Sequence, residues 1–479
     1  MPSPATSKNV SWLHSPVVDL LALLLIALFG TTLRIWGVKH GSSFHPDERH
    51  MIMVTESLSN NGMNPKSFAY GSFSFYALWF FARVFGFVWS VVGGAEGLLS
   101  AWPDPIGYDG MFLVGRVFCV ALGVLAIPLL YALCLLLYRK SHVGLIAAAL
   151  LSFNVFHIQL SRFFTSDVTL TTISLAALIA LVFVYRTNSL YWHVGFGILL
   201  GIATATKISS VFLATPLVVA VILLMCRDLG AARAFWSALY GTVASGFIAL
   251  LMGGHWYIFL KGGTYPIFGY NVSGEALLLA LAGPYLLTIA FGLAMISPHI
   301  AKAICGLAVA GFIFVTAEPF AVLDFTTFAA NTREQTSMVQ GMWRPPYTIQ
   351  YEHTVPYFYH LKQMLWYTMG WPVFSVVILG FGFAVFRVLA NAGALLVDKS
   401  AYARVSLAEA IPLTFALVFF LATARFQVKF PRYLLPLYPL CFLFAGALFS
   451  AVESREWCAL RGYFFTHQRR FTEPRERLR

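Results

Sequence analysis

The run Leu20-Leu21-Ala22-Leu23-Leu24-Leu25-Ile26-Ala27-Leu28-Phe29-Gly30, within the apolar stretch 16–38, decides the fold class. A helix crosses a bilayer with about 20 predominantly apolar residues. Comparable stretches recur as far as Ser450 with no long polar block between them. The chain is 59% hydrophobic and 11% charged over 479 residues, with a mean hydropathy of +0.75. Soluble domains carry about 25% charged residues, so a water-soluble class is excluded. The expectation is an all-α, polytopic transmembrane protein: one membrane domain over residues 1–454, a basic tail over 455–479, and no appended soluble domain. Lys8 is the one Lys or Arg in the segment before the first run, and no clear A-x-A site follows the run. The run therefore reads as a retained span, not as a cleaved signal peptide.

Apolar runs bounded by charge or by Gly, Pro and Asn give about twelve spans. They cover 16–38, 111–138, 143–160, 168–185, 191–206, 209–226, 234–253, 276–296, 301–317, 363–388, 406–424 and 433–451. An even number puts both termini on one side. The short connections at Arg139-Lys140, Arg186, Arg227 to Arg233 and Arg387 to Arg404 are basic, as is the tail, which makes that side cytoplasmic. The two longest connections, 39–110 and 318–362, then lie outside. The aromatic stretch Phe73 to Trp89, interrupted by Arg83, is expected along the membrane surface, with a thirteenth span as the competing reading.

The formal net charge is +12, but the basic residues sit at span ends and in the tail. That distribution suits anionic membrane lipid and not nucleic acid. Arg162, Lys207, Arg425, Lys429 and Arg432 fall on the side assigned as external. An anionic group bound there explains the excess, because cations near hydrocarbon are costly without a partner. The six cysteines show no close pair and no CxxC, so neither a disulfide framework nor a zinc site is indicated.

Phe44-His45-Pro46-Asp47-Glu48-Arg49 places two adjacent carboxylates after the first span. Neighbouring side chains on a helix do not face each other, so one of Asp47 and Glu48 acting as general base fits better than a glycosidase-like pair. The structural alternative is a helix start, with Ser43 as cap, Pro46 in the first turn and the acids on the macrodipole. In Ser161-Arg162-Phe163-Phe164-Thr165-Ser166-Asp167, Arg162 and Asp167 either pair with each other or serve a phosphate and a hydroxyl. Lys207, flanked by apolar helix, either snorkels or holds an anion. The segment Arg425 to Pro436 packs Arg425, Lys429 and Arg432 between the last two spans, as an interfacial anchor or as a phosphate clamp. The second long connection holds Glu318-Pro319, Arg344-Pro345-Pro346-Tyr347 and Tyr351-Glu352-His353. Its tyrosines read as belt residues or, with Arg344 and Tyr351, as a sugar-binding face. His353 lacks a second ligand at metal spacing, so no metal is proposed there.

In combination these residues resemble the GT-C superfamily of membrane glycosyltransferases, nearest to family 39 and its bacterial relatives. The match runs in order through His45-Pro46-Asp47-Glu48, Ser161-Arg162 with Asp167, Ala203-Thr204-Ala205-Thr206-Lys207 and Arg432-Tyr433-Leu434-Leu435-Pro436. Asn64 to Ser72 is similar to the loop after the acidic motif in bacterial members. The resemblance implies inverting transfer of a sugar from a polyprenyl-phosphate donor, with Asp47 as the catalytic acidic residue and Lys207 and Arg432 on the phosphate. It implies no cofactor, leaves a divalent metal open, and leaves the acceptor open among lipid, glycan and protein. A transporter of lipid-linked sugars is the main rival, and a non-catalytic membrane subunit is the third reading. Transporters commonly carry internal repeats, and none is evident in this sequence.

Overall fold

The apolar runs fold as helices because in hydrocarbon every backbone N–H and C=O must be satisfied within the segment. The computed structural model describes residues 16–39, 45–97, 101–397 and 407–453. Its first helices are α1 (Pro16–Ile35), α2 (Pro46–Ser57), α3 (Ser72–Val91), α4 (Tyr108–Tyr138), α5 (Ser141–Phe153) and α6 (Val155–Ser161). There follow α7 (Ser166–Thr187), α8 (Leu190–Thr206), α9 (Ala214–Leu229) and α10 (Ala231–Leu260). The hairpin of β1 (Thr264–Ile267) and β2 (Tyr270–Ser273) comes next, then α11 (Gly274–Leu293), α12 (Pro298–Ala317), α13 (Phe320–Leu323) and α14 (Phe325–Gln340). The remainder is α15 (Phe358–Gln363), α16 (Gly370–Val397), α17 (Ala410–Thr423) and α18 (Tyr438–Glu453).

Among the described residues, ten helices are long and apolar enough to cross a membrane, or eleven with α5 and α6 taken as one bent span. Each of the twelve expected spans corresponds to a helix or a joined pair, although α8 and α17 are shorter than a full crossing. The stretch 73–89, expected along the membrane surface with a thirteenth span as the competing reading, forms α3, which is long and apolar enough to cross by length and composition. The structure adds to the all-helical expectation an antiparallel hairpin pairing Thr264 with Ser273 through Ile267 with Tyr270. Phe268 and Gly269 at its tip both have positive φ, 49° and 81°, as two-residue hairpin turns require. The basic tail lies outside the described residues.

At the centre stands α7, buried over most of its length and packed on α4, α8, α9 and the turn Pro431–Leu437. Three breaks interrupt the helices near it. At Asn154 the chain bends by 60° between α5 and α6, and the Asn154 side chain caps α6 by accepting from His157 N at 2.9 Å. Asn is a favoured residue for that position. At Lys207, α8 ends in extended backbone before the 3-10 turn Ile208–Leu213. At Pro431, a second 3-10 turn precedes α18.

On the side where α2 lies, Glu48 is fully buried and accepts two bonds from Arg116 of α4, at 2.8 and 2.7 Å. Arg116 also donates to Val38 O at 3.0 Å, and Glu48 accepts from Phe164 N at 3.0 Å. One ion pair therefore joins α2, α4, the chain just beyond α1 and the turn before α7. The segment 64–72 is fastened to 318–331 by three further contacts. Asn64 donates to Asp324 at 2.9 Å, Phe68 N donates to Asn331 Oδ1 at 2.8 Å, and Glu318 accepts from Ser72 N and Ser72 Oγ at 3.0 and 2.9 Å. Gly71 lets the same segment lie against the end of α8, because a Cβ there would lie 2.0 Å from Ala205 O.

Both sets of contacts have measurable consequences for stability. Removing one member of a buried, hydrogen-bonded ion pair costs about 3–5 kcal/mol, so Glu48→Gln and Arg116→Met should each lower the melting temperature of the detergent-solubilised protein sharply. Retention of the wild-type melting temperature by both variants would refute the anchoring role. Burial raises the Glu318 carboxyl from 4.5 to about 7, against the opposing effect of the Ser72 donors. The folded chain thus favours the protonated form, a contribution complete below about pH 4.5 and lost as pH rises to about 7. The melting temperature of wild type relative to Glu318→Gln should accordingly fall across that interval and level off above it; a difference independent of pH would contradict this.

Candidate active site

Asp47 and Glu48 diverge because consecutive helical residues point in different directions. Helix α2 begins at Pro46 with His45 in the cap position, and the His45 side chain makes no capping bond. Ser43 lies outside the described residues. Glu48 turns inward to Arg116, while Asp47 faces a cavity of about 740 Å³ that it lines together with Lys207 and Arg432. Ligand sites commonly fall between about 300 and 1,000 Å³.

At the polar end of this cavity runs a chain of four charges from four parts of the sequence, of which Asp47, Lys207 and Arg432 line the cavity and Asp167 is buried behind them. Arg432 Nη2 lies 2.6 Å from Asp47 Oδ2, and its Nε lies 3.7 Å from Asp167 Oδ2. Asp167 Oδ1 lies 2.6 Å from Lys207 Nζ. Asp167 stands in the first turn of α7, where the helix macrodipole favours a carboxylate. Lys207 caps the C-terminus of α8, the end that favours a cation. Arg432 reaches the centre from the 3-10 turn, with its guanidinium 4.4 Å from the Phe430 ring centroid. Lys207 Nζ stands 4.6 Å from the Tyr433 ring centroid. Two acids and two bases balance, which limits the cost of holding them in a poorly hydrated place.

The remaining titratable groups around the chain favour their neutral forms. Burial lowers His45 and His50, opposed in each by the Asp47 charge. Burial, with the Asp47 carboxylate next in weight, raises the Tyr70 phenol well above its usual value. Tyr70, His50 and Glu318 line the cavity, and His50 Nε2 lies 3.0 Å from Ser67 Oγ.

One long wall is α14, which presents Phe328, Thr332, Gln335 and Val339 to the cavity at helical spacing and leaves Arg333 and Glu334 exposed on its other side. A second stretch of the lining is apolar: Ile208, Val211, Phe212, Phe426 and Phe430. Ile208 and Val211 are exposed as well, so this wall continues onto the outer surface of the helices.

The other residues singled out in the sequence lie elsewhere. Arg162 does not pair with Asp167; it donates to Leu33 O at the end of α1 and does not line the cavity. Arg425 is exposed. Lys429 is buried and donates to Gln427 O at 3.1 Å. Arg344 is exposed and meets Glu352 at 3.2 Å. Tyr351 is buried outside the cavity lining, with its ring centroid 5.4 Å from that of Phe430, beneath the Arg432 turn. No group of three or more metal-ligating side chains occurs among the described residues. Sequence reasoning missed Arg116, hidden inside a long apolar run, and gave Glu318 no role, although its position directly after a span was visible.

Residues 109–256 match the family model described as dolichyl-phosphate-mannose-protein mannosyltransferase. A search of curated protein sequences returns no match. Among solved structures, the chain is similar to the archaeal oligosaccharyltransferase AglB from Archaeoglobus fulgidus, in complex with an inhibitory peptide and a dolichol-phosphate. The identity is 14% and the TM-score 0.53, over 98% of this chain and 53% of AglB. The chain thus spans about half the length of that protein. ArnT from Cupriavidus metallidurans, bound to undecaprenyl phosphate, aligns at 16% identity and a TM-score of 0.47, over 93% of this chain and 62% of ArnT. The AglB likeness over nearly the whole chain, together with the family match at 109–256, identifies a multi-pass membrane protein with the GT-C glycosyltransferase fold.

Proposed function

We propose that this chain transfers a sugar from a polyprenyl-phosphate donor to an acceptor hydroxyl, with inversion at the anomeric carbon. The observation that carries this reading is the Asp47–Arg432–Asp167–Lys207 chain at one end of a cavity that also has an apolar wall reaching the helix surface at Ile208 and Val211. A polyprenyl-phosphate sugar has the same division: an anionic head, a polar sugar and a long apolar chain. The family model and the AglB complex name carriers of this class.

Arg432 and Lys207 hold the phosphate in this reading, and the hydroxyls and amides of Thr332 and Gln335 meet the sugar. In the structure Arg432 is paired with Asp47. An arriving phosphate competes for Arg432 and releases Asp47 toward the acceptor. Asp47 then takes the proton of the acceptor hydroxyl as its oxygen bonds to the anomeric carbon. The bond from that carbon to the phosphate oxygen breaks, the electron pair leaves with the polyprenyl phosphate, and the two cations stabilise the charge that develops there. Asp167 positions both cations. The reaction is assigned to the external face of a cell membrane with both termini cytoplasmic, supported by the basic connections at Arg139-Lys140 and Arg186.

Two measurements test this reading. Asp47→Asn keeps the size of the side chain and removes the proton-accepting charge, so transfer of labelled sugar should fall by about 10²–10⁴ with donor binding and melting temperature retained. Near-normal transfer by a stable variant would remove Asp47 from the base role. Lys207→Gln should weaken retention of polyprenyl phosphate in native mass spectrometry by about 1.5–3 kcal/mol, the worth of one charge-assisted contact. Arg432→Gln should weaken it at least as much and also lower the melting temperature, because it strips the cation from two carboxylates at once. Unchanged retention in both variants would make these residues structural.

A further inference from the structure

Asp167 is engaged by Lys207 and Arg432, so Arg162 is left without the carboxylate its sequence neighbourhood offered. Its Nη2 donates to Leu33 O, its Nε is shielded from solvent with no partner, and no ion pair to it occurs among the described residues. Close to it lies Arg34, fully buried, whose Nη1 and Nη2 meet only neutral groups, Gly30 O, Ser152 O, Leu151 O and His157 Nδ1, at 2.9 to 3.2 Å, and whose Nε has no partner. The charge that acts on Arg34 is that of Arg162, another cation. Two guanidiniums therefore sit together at one end of α1, and among the described residues neither has an ion-pair partner.

Their depth in the membrane is marked by their neighbours. Ile35 and Trp36, directly after Arg34, are 57% and 77% exposed. Such an apolar face ending in Trp is lipid-facing and stops at the headgroup level, where aromatic belts lie. A cation held there without a counter-charge is costly, and a phosphodiester supplies the missing charge with the geometry of a guanidinium fork. We propose that Arg162, backed by Arg34, binds the phosphate of an anionic bilayer phospholipid at the outer end of α1. This site is separate from the donor cavity, which Arg162 does not line. The bound lipid offsets one of the two positive charges at the junction between α1 and α6.

The test uses the full chain in nanodiscs of phosphatidylcholine with and without phosphatidylglycerol, read by native mass spectrometry and melting temperature. Wild type should retain phosphatidylglycerol in preference to phosphatidylcholine and melt higher in its presence. Arg162→Gln should reduce that retention about tenfold, the loss of one charge-assisted contact, while Arg162→Lys keeps most of it and Lys207→Gln keeps all of it. Equal retention of the two lipids by wild type overturns the proposal, and decides the matter even where Arg162→Gln fails to fold. Undiminished retention in a folded Arg162→Gln also overturns it, as does loss in Lys207→Gln, which would place the lipid in the donor cavity. An equal rise in melting temperature from inorganic phosphate in detergent would assign the site to a free anion and overturn the headgroup assignment.

Discussion

The ion pair between Glu48 and Arg116 is the constraint on which the site depends. Helix α2 has twelve residues with charges in its first turn, and a helix of that length is marginal by itself in water. Glu48 gives it a fixed place by joining Arg116 and the Phe164 amide in a buried spot. Once Glu48 is held, the helical turn aims Asp47 at the cavity. The bond from Phe164 N brings the turn before α7 to the same point, and with it Asp167. One carboxylate thus organises the elements that carry two others.

The four charges at the cavity head show how an ionic site persists between apolar helices. Arg432 is shared between two carboxylates, and Asp167 between two cations, so no charge is left without an opposite one. Such a chain is stable at rest and open to exchange, because a ligand anion can take over one side of Arg432 without leaving it unpaired. The same logic sets Arg162 and Arg34 apart: among the described residues they meet only carbonyls and His157, and the proposed lipid phosphate supplies the counter-charge.

The site assembles where helices break. Lys207 follows the last residue of α8, Arg432 stands in a 3-10 turn, and Asp47 and Asp167 lie in first helical turns. Within a membrane, irregular backbone is tolerated where it is buried in protein or lines a cavity, so breaks and chemistry coincide. The α14 wall comes from a long connection instead, with 64–72 and 318–331 clipped to each other through Asn64, Phe68 and Ser72.

The sequence by itself determined the class of fold, because hydrocarbon length and charge depletion leave few alternatives for runs such as Leu20 to Gly30. It also named Asp47, Asp167, Lys207 and Arg432, since charges beside apolar helix ends are few and each demands a reason. It did not determine the pairing among them: Arg162 is five residues from Asp167, yet Asp167 meets Lys207 and Arg432, 40 and 265 positions away in the chain. Local spacing cannot decide between partners brought together by packing around α7. Residue chemistry could not separate Glu48 from Asp47, which are alike and adjacent, and the preference for Asp47 rests on the family resemblance alone. The tertiary structure supplies the physical reason, by placing Arg116 on one side of α2 and the cavity on the other.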